Sequence, residues 1–293
     1  MSTALIAGEV LFDIFEDGSQ VLGGAPFNVA WHLHGLGVTP LFVSSVGSDA
    51  HGNEIREAMQ TWGMSTEALQ KDSNHSTGTV QIKMKAGSHA FDIVRDVAYD
   101  FIEKPQNLDG RIENCKLMYH GSLAMRSTTS RQTIMQLRKD SGLPAFVDVN
   151  LRAPFWDKSF IEEIIYGAGW VKLNDEELLL LGEDGNGDLI ASAQQFRKKH
   201  NIHSVIITRG KEGAFIARED SIEEVKAAPI ENLIDTVGAG DGFSAMTIAG
   251  VIQGWDYKEI LEAASLFASK ICGLRGAISK DRAFYDDFLD EIH

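Results

Sequence analysis

Cysteine is almost absent from this chain. Cys115 and Cys272 are the only two, they form no CxxC, and no Cys/His spacing has the form of a zinc site. A disulfide between them stays open, but two buried thiols in a reducing compartment are expected. Positive charge is also scarce: 27 basic against 42 acidic residues leave a net charge of −15. So negative a surface repels DNA and anionic lipid, so no nucleic-acid or membrane partner is expected. A small anionic ligand is still compatible, because a local nest of backbone N–H groups can outweigh a distant net charge. Long apolar runs are missing too. The opening "MSTALIAGEVLFDIF" has no basic flank, and Glu9 and Asp13 interrupt it. It reads as a first buried strand rather than a signal peptide or membrane span, which points to a cytoplasmic protein. No internal repeat or low-complexity segment stands out.

What the chain does have is alternation. Nearly continuous apolar runs recur at "ALIAGEVL" (4–11), "LFVSSVG" (41–47), "KLMYHGS" (116–122), "AFVDVN" (145–150), "WVKLN" (170–174) and "SVIIT" (204–208). Such runs suit strands buried on both faces. Helical patterns lie between them. "PFNVAWHLHGLG" has Pro26 at its start and Gly37 as a stop, and residues 51–63 and 127–142 follow the same logic. Strand–helix alternation over 293 residues predicts an α/β domain with a mostly parallel sheet and helices on both faces. Residues 78–95 break the pattern. "GTVQIKMKAGSHAFDIVR" alternates apolar and polar residues on either side of a turn at Gly87, as a hairpin with one wet face does. It reads as a flap leaving the main sheet, or equally as an antiparallel pair at that sheet's edge. "EDGNGDLIASAQQ" begins like an EF-hand loop but has Leu189 and Gln195 where glycine and glutamate are needed. A polar turn before a helix fits it better.

The run "LIDTVGAGDGFSAM" (233–246) carries the chemistry. A dinucleotide fingerprint would need a third glycine where Phe243 stands, and Asp241 would oppose a pyrophosphate. A phosphate-binding P-loop would need a lysine after the glycines, and none follows. What remains is a glycine-rich helix N-terminus. Gly238, Ala239 and Gly240 are small enough to leave backbone N–H groups open to an anion. Asp241 has two compatible readings: a helix N-cap, or a base beside a transferring phosphoryl group.

"DTVGAGDGF" resembles the C-terminal signature of the PfkB, or ribokinase-like, carbohydrate kinases. "GGAPFNVAWHLHGLG" (23–37) resembles the N-terminal signature of the same family. The resemblance implies a three-layer αβα sandwich with a mostly parallel central sheet. It also implies one domain over 1–293 with a small β lid, formed mainly by about 78–100 and a short segment near 13–22. It implies ATP and Mg²⁺ as cofactors, with K⁺ as a further candidate. Asp241 would be the base, with the anion hole at Gly238, Ala239 and Gly240. "ITRGKEGAF" resembles the family's nucleotide segment at Thr208, Gly210 and Gly213, although these glycines also suit a tight turn between strands. "KLNDEE" resembles an element that organises magnesium and phosphates through Asn174 and Glu177, the latter reaching Mg²⁺ through water. An asparagine after a strand is also a common helix cap. Asp235 and the Val237 carbonyl resemble a monovalent-cation site completed from residues 271–279.

For the acceptor, Asp13, Gly23, Gly24 and Asn28 supply short polar side chains and exposed backbone suited to sugar hydroxyls. "FVDVNLRAPFW" (146–156) resembles a run shared by fructokinases and 2-keto-3-deoxygluconate kinases, which brings in Asp148, Asn150 and Arg152. Arg152 could steady the transferred phosphate. Arg95 resembles an arginine seen in both groups and would suit a carboxylate acceptor. Fructose is the expected acceptor, giving fructose 6-phosphate. The alternatives are 2-keto-3-deoxygluconate, ribose or a nucleoside, or a protein that binds sugar or nucleotide without turnover. A homodimer through the lid is a further expectation from the resemblance.

Overall fold

The computed structural model describes residues 3–85, 88–182 and 187–292. The chain begins with β1 (Thr3–Ala7), β2 (Leu11–Phe15) and β3 (Gln20–Gly23), followed by α1 (Ala25–Gly35). Next come β4 (Thr39–Gly47), α2 (Ala50–Trp62), β5 (Leu69–Asp72), and the pair β6 (Gly78–Lys85) and β7 (Ser88–Ile93). The middle holds α3 (Asp109–Ile112), β8 (Cys115–His120), α4 (Thr128–Ser141), β9 (Ala145–Asp148), α5 (Lys158–Ile165) and β10 (Trp170–Asn174). After α6 (Asp175–Leu180) and α7 (Leu189–Lys199) come β11 (Ser204–Thr208), β12 (Ala214–Ala217) and β13 (Ile222–Val225). Helices α8 (Ala239–Gln253), α9 (Tyr257–Ile271) and α10 (Arg282–Ile292) close the chain.

Among the described residues the large sheet has nine strands in the order β13-β12-β11-β10-β9-β8-β1-β4-β5. From β11 to β5 all neighbours are parallel, while β12 and β13 add an antiparallel edge. Each core strand feeds both faces. Leu5 and Ala7 join one apolar cluster with Ile134, Ile161 and Phe196 of α4, α5 and α7; Ala4 and Ile6 join the other with Phe27, Met246 and Phe267 of α1, α8 and α9. The result is the three-layer sandwich expected from the continuous apolar runs.

A second sheet has the order β3-β2-β6-β7. Its strands alternate: Val80 and Ile82 are buried while Thr79 and Gln81 are half-buried. The β6–β7 pair thus joins β2 and β3 rather than the edge of the large sheet. Gly87, expected in the turn, lies outside the described residues.

The run "ALIAGEVL" is not one strand. It breaks at Gly8, so that β1 belongs to the large sheet and β2 to the small one. Gly8 has φ +152°, and a Cβ there would lie 2.4 Å from Pro26 Cγ. The start of α1 therefore packs directly on the break, and only glycine tolerates both conditions.

Helix ends follow local chemistry. Asp49 caps α2 by accepting from the Gly52 N–H at 2.8 Å, and Gly63 ends that helix in the left-handed region. Asp188 likewise caps α7 through the Ile190 and Ala191 N–H groups. Both cysteines are buried free thiols. Among the described residues no helix is long and apolar enough to cross a membrane.

Candidate active site at the carboxyl ends of the large sheet

Asp148, Asn174 and Thr208 end three adjacent parallel strands, β9, β10 and β11. Open α/β sheets bind ligands at this edge. Helix α8 begins beside it. Its N-cap is Gly238, at φ +80°, and no side chain caps it. A Cβ at residue 238 would fall 2.5 Å from Ala277 Cα, so the close packing and the left-handed backbone both require glycine.

The open N–H groups are not quite those expected. The Ala239 N–H donates to the Thr236 carbonyl at 3.3 Å. Those of Gly238, Gly240 and Asp241 meet no acceptor among the described residues. Asp241 thus takes the place of Ala239 among the open donors, contributing backbone as well as side chain. Asp241 is the third residue of α8 and does not cap it. Its Oδ2 instead accepts a hydrogen bond from Asn28 Nδ2 at 2.8 Å.

Asn28 lies on α1, buried, with its Oδ1 lacking any partner. An unsatisfied buried acceptor is costly and calls for a donor from a ligand or water. Burial pushes the Asp241 pKa up to about 6; the Asn28 hydrogen bond opposes this, Asp148 adds to it, and Lys172 and Arg152 counter it. A carboxylate poised there can accept a proton near neutral pH.

Asp13, on β2, is raised to about 6 by burial, with Arg152 opposing. Its carboxylate reaches across to Gly23, where a Cβ would lie 3.2 Å from Asp13 Oδ2. Gly24 caps α1, and a Cβ there would lie 2.8 Å from the Glu9 carbonyl oxygen, so this corner is built on close backbone approach. Arg152 is exposed, faces Asp13, Glu9 and Asp241, and makes no ion pair among the described residues. Asn150 takes a left-handed conformation, φ +38°, in the same loop. Arg95 stands farther out, its guanidinium carbon 4.8 Å from the centre of the Phe155 ring.

Asp148 does not stand free for a ligand. Lys172 Nζ donates to its two oxygens at 2.8 and 3.0 Å, and Ser244 Oγ donates to Oδ2 at 2.8 Å. Asn174 and Glu177 form a capping box at the start of α6. The Glu177 N–H donates to Asn174 Oδ1 at 2.7 Å, and the Asn174 N–H to Glu177 Oε2 at 2.8 Å. Glu177 Oε1 also accepts from the Leu151 N–H at 2.7 Å. Burial raises the Glu177 pKa against these two hydrogen bonds, and Asp148 adds to the rise.

Thr208, Gly210 and Gly213 line a cavity of about 610 Å³ together with Ala239 and Gly240. Its other walls are mostly apolar, among them Ala228, Ile230, Leu233 and Phe243. The structure therefore joins the glycine turn of β11–β12 to the anion nest in one chamber. Asp235 and Val237 are neighbours there, the Val237 N–H donating to Asp235 Oδ1 at 3.1 Å. The Ile234 and Asp235 N–H groups both donate to the Cys272 carbonyl, which brings residues 271–279 alongside.

Three residues escaped sequence reasoning. Lys172 and Ser244 hold Asp148, and Glu9 is buried with its pKa raised to about 7 by burial, its Oε2 accepting from the Ala124 N–H at 3.2 Å. The signal existed for two of them: each is a charge inside an otherwise apolar strand run.

A nine-stranded sandwich with a small separate sheet and an uncapped, glycine-started helix at its carboxyl edge defines a ribokinase-like α/β protein. The chain belongs to the pfkB family of carbohydrate kinases, whose profile matches residues 10–283. It is similar to an uncharacterized sugar kinase of Pyrococcus horikoshii, 32% identical over 94% of this chain and 91% of the relative. The crystal structure of that protein superposes with a TM-score of 0.84, covering 99% and 97% of the two chains, and another of its structures is a complex with ATP. A fructokinase of Klebsiella pneumoniae is 25% identical over 98% of this chain and 97% of its own. The fructokinase of Xylella fastidiosa, solved with ATP, shares the fold at a TM-score of 0.86 and 20% identity, covering 99% and 98%.

Proposed function

We propose that this chain is an ATP-dependent sugar kinase that phosphorylates fructose at its 6-hydroxyl. One observation carries the reading. The N–H groups of Gly238, Gly240 and Asp241 are unbonded, Ala239 and Gly240 line an apolar chamber, and the Asp241 carboxylate is in the same helix turn, so a proton acceptor and open donors stand together. The base of ATP would lie in the chamber walled by Ile230, Leu233 and Ala228, with its phosphates directed to the start of α8. A structure of the Pyrococcus relative in complex with ATP supports ATP as the phosphoryl donor.

The acceptor would lie between Asp13, Asn28 and Arg152, with Asn28 Oδ1 accepting a hydrogen bond from a sugar hydroxyl. Asp241 takes the proton of the attacking hydroxyl. That oxygen bonds to the γ-phosphorus as the bond to the β-phosphate oxygen breaks, and ADP leaves. Charge developing on the phosphoryl oxygens meets the N–H groups of Gly238, Gly240 and Asp241, and Arg152 from the opposite side. Glu177 keeps lone pairs beyond its two backbone hydrogen bonds and would hold Mg²⁺ through water, the ion supplying positive charge to the phosphates. Asp235 and the Val237 carbonyl would serve K⁺. The small sheet would act as a lid that excludes water.

Fructose is favoured by the similarity to the Klebsiella fructokinase. A second acceptor, 2-keto-3-deoxygluconate, is favoured by the two exposed arginines, Arg95 and Arg152, which suit a carboxylate. An ADP-release assay with ATP and a panel of both compounds, ribose and nucleosides tests the reading. Turnover is expected to be highest with fructose. Sugar binding without ADP release from any acceptor would replace the kinase by a binding protein.

A further inference from the structure

Lys172 occupies a place where an apolar residue would be ordinary. Its neighbours along β10, Val171 and Leu173, are buried on one face, and across the sheet Phe146 and Ile206 fill the other. Lys172 itself is buried, and its register partner on β9 is Asp148. Two of its three ammonium protons go to Asp148, at 2.8 and 3.0 Å; the third has no acceptor among the described residues. Ser244, one turn into α8 beyond Gly240, fixes the same carboxylate. A buried ion pair is weak grounds for stability, since two apolar residues would serve as well or better. The pair is therefore better explained by what lies next to it.

What lies next to it is the anion nest. A Cβ added to Gly240 would sit 3.6 Å from Lys172 Nζ, so the ammonium stands directly behind that residue. The groups facing Asp241 come from several elements: Asn28 of α1, Asp148 of β9, Arg152 of the loop after β9, Lys172 of β10, Glu9 after β1 and Tyr119 of β8. Two of these, Asp148 and Glu9, are acids that oppose a negative Asp241, while the buried Tyr119 phenol stays protonated and neutral. Lys172 and Arg152 are the cations among them, and Lys172 is the one locked in place. Burial disfavours its charge, but Asp148, Glu177 and Asp241 outweigh burial and keep it protonated.

We propose that Lys172 is a positioning residue for phosphoryl transfer: locked by Asp148, its ammonium makes the Gly240 nest electropositive and holds Asp241 as the carboxylate. The inference rests on the kinase reading above. It assigns Asp148 and Ser244 to holding Lys172 rather than to binding the sugar.

The test compares wild type with K172M and D148N/K172M on whichever acceptor the wild type turns over. K172M leaves Asp148 buried and unpaired and can fail to fold; the double variant removes both charges and keeps the packing. The double variant is expected to unfold near the wild-type temperature, to keep KM for the sugar within about twofold, and to lose kcat on the order of tenfold or more. In folded K172M the acid limb of the kcat/KM profile is expected to move to higher pH. Wild-type kcat in the double variant, or an unmoved acid limb in folded K172M, overturns the assignment while leaving the kinase reading intact. A wild type that releases no ADP with any acceptor overturns both.

Discussion

Two helices begin at the carboxyl edge of the sheet, α6 on one face and α8 on the other, and they treat their first N–H groups in opposite ways. Helix α6 starts at Asn174 with a complete capping box, in which Asn174 and Glu177 satisfy each other's backbone donors. Helix α8 starts at Gly238 with no capping side chain, and three N–H groups stay open. The first arrangement stabilises a helix; the second leaves its donors open to water or an anion. The same sheet edge thus contains one helix start closed on itself and one with open donors. Both carry an acidic residue at the third helical position, Glu177 and Asp241. Glu177 folds back onto the backbone of its own cap, while Asp241 turns away to Asn28 on another helix.

Substitutions can break this contrast. The largest effect is expected at Asp241. D241N keeps the acceptor for Asn28 but removes the base, so kcat is expected to fall roughly 10²–10⁴-fold with ATP binding retained, as steady-state kinetics and calorimetry would report. In wild type, kcat/KM should decline as pH drops through about 6, where Asp241 takes up its proton. The sign for stability is opposite. A carboxyl whose pKa rises from 3.8 to about 6 on folding binds protons better when folded, so its contribution is most favourable in acid and is lost as pH rises through 6. D241N should therefore melt above wild type near pH 8 and lose that advantage toward about pH 4.

A smaller effect is expected at the cap of α8. G238A adds a Cβ against Ala277 at a left-handed position, which should cost about 1–3 kcal/mol in urea unfolding and weaken ATP binding by displacing the nest. Equal stability and affinity in G238A would mean that the nest does not depend on this geometry. The smallest effect belongs to α6. N174A should cost about 0.5–2 kcal/mol of stability, with kcat reduced only a few-fold through a loosened Glu177. A loss of kcat in N174A as large as that in D241N would erase the distinction between the two helix starts.

Much of this site was legible along the chain because its logic is local. Glycines before a helix, an aspartate within its first turn, and a strand ending in Asn174 are each contained in a few consecutive residues. Lys172 and Glu9 were visible only as charges interrupting apolar strands, with nothing nearby in sequence to say what they meet. The partner of Lys172 is 24 residues away on the adjacent strand, and that of Asp241 is 213 residues away on α1. No periodicity encodes such distances.

The sequence by itself determined the alternation that builds a two-faced parallel sheet, the glycine-started helix and the acidic residue in its first turn. These follow from backbone freedom and side-chain period, which act within one element. Tertiary structure decided the rest. It split the first apolar run between two sheets because Pro26 packs on Gly8, and it bonded the Ala239 N–H to Thr236. It also paired Asp148 with a buried lysine on the neighbouring strand. Each of these outcomes depends on which surfaces meet in space, and hydrogen-bond acceptors and charges are shared out only once they meet.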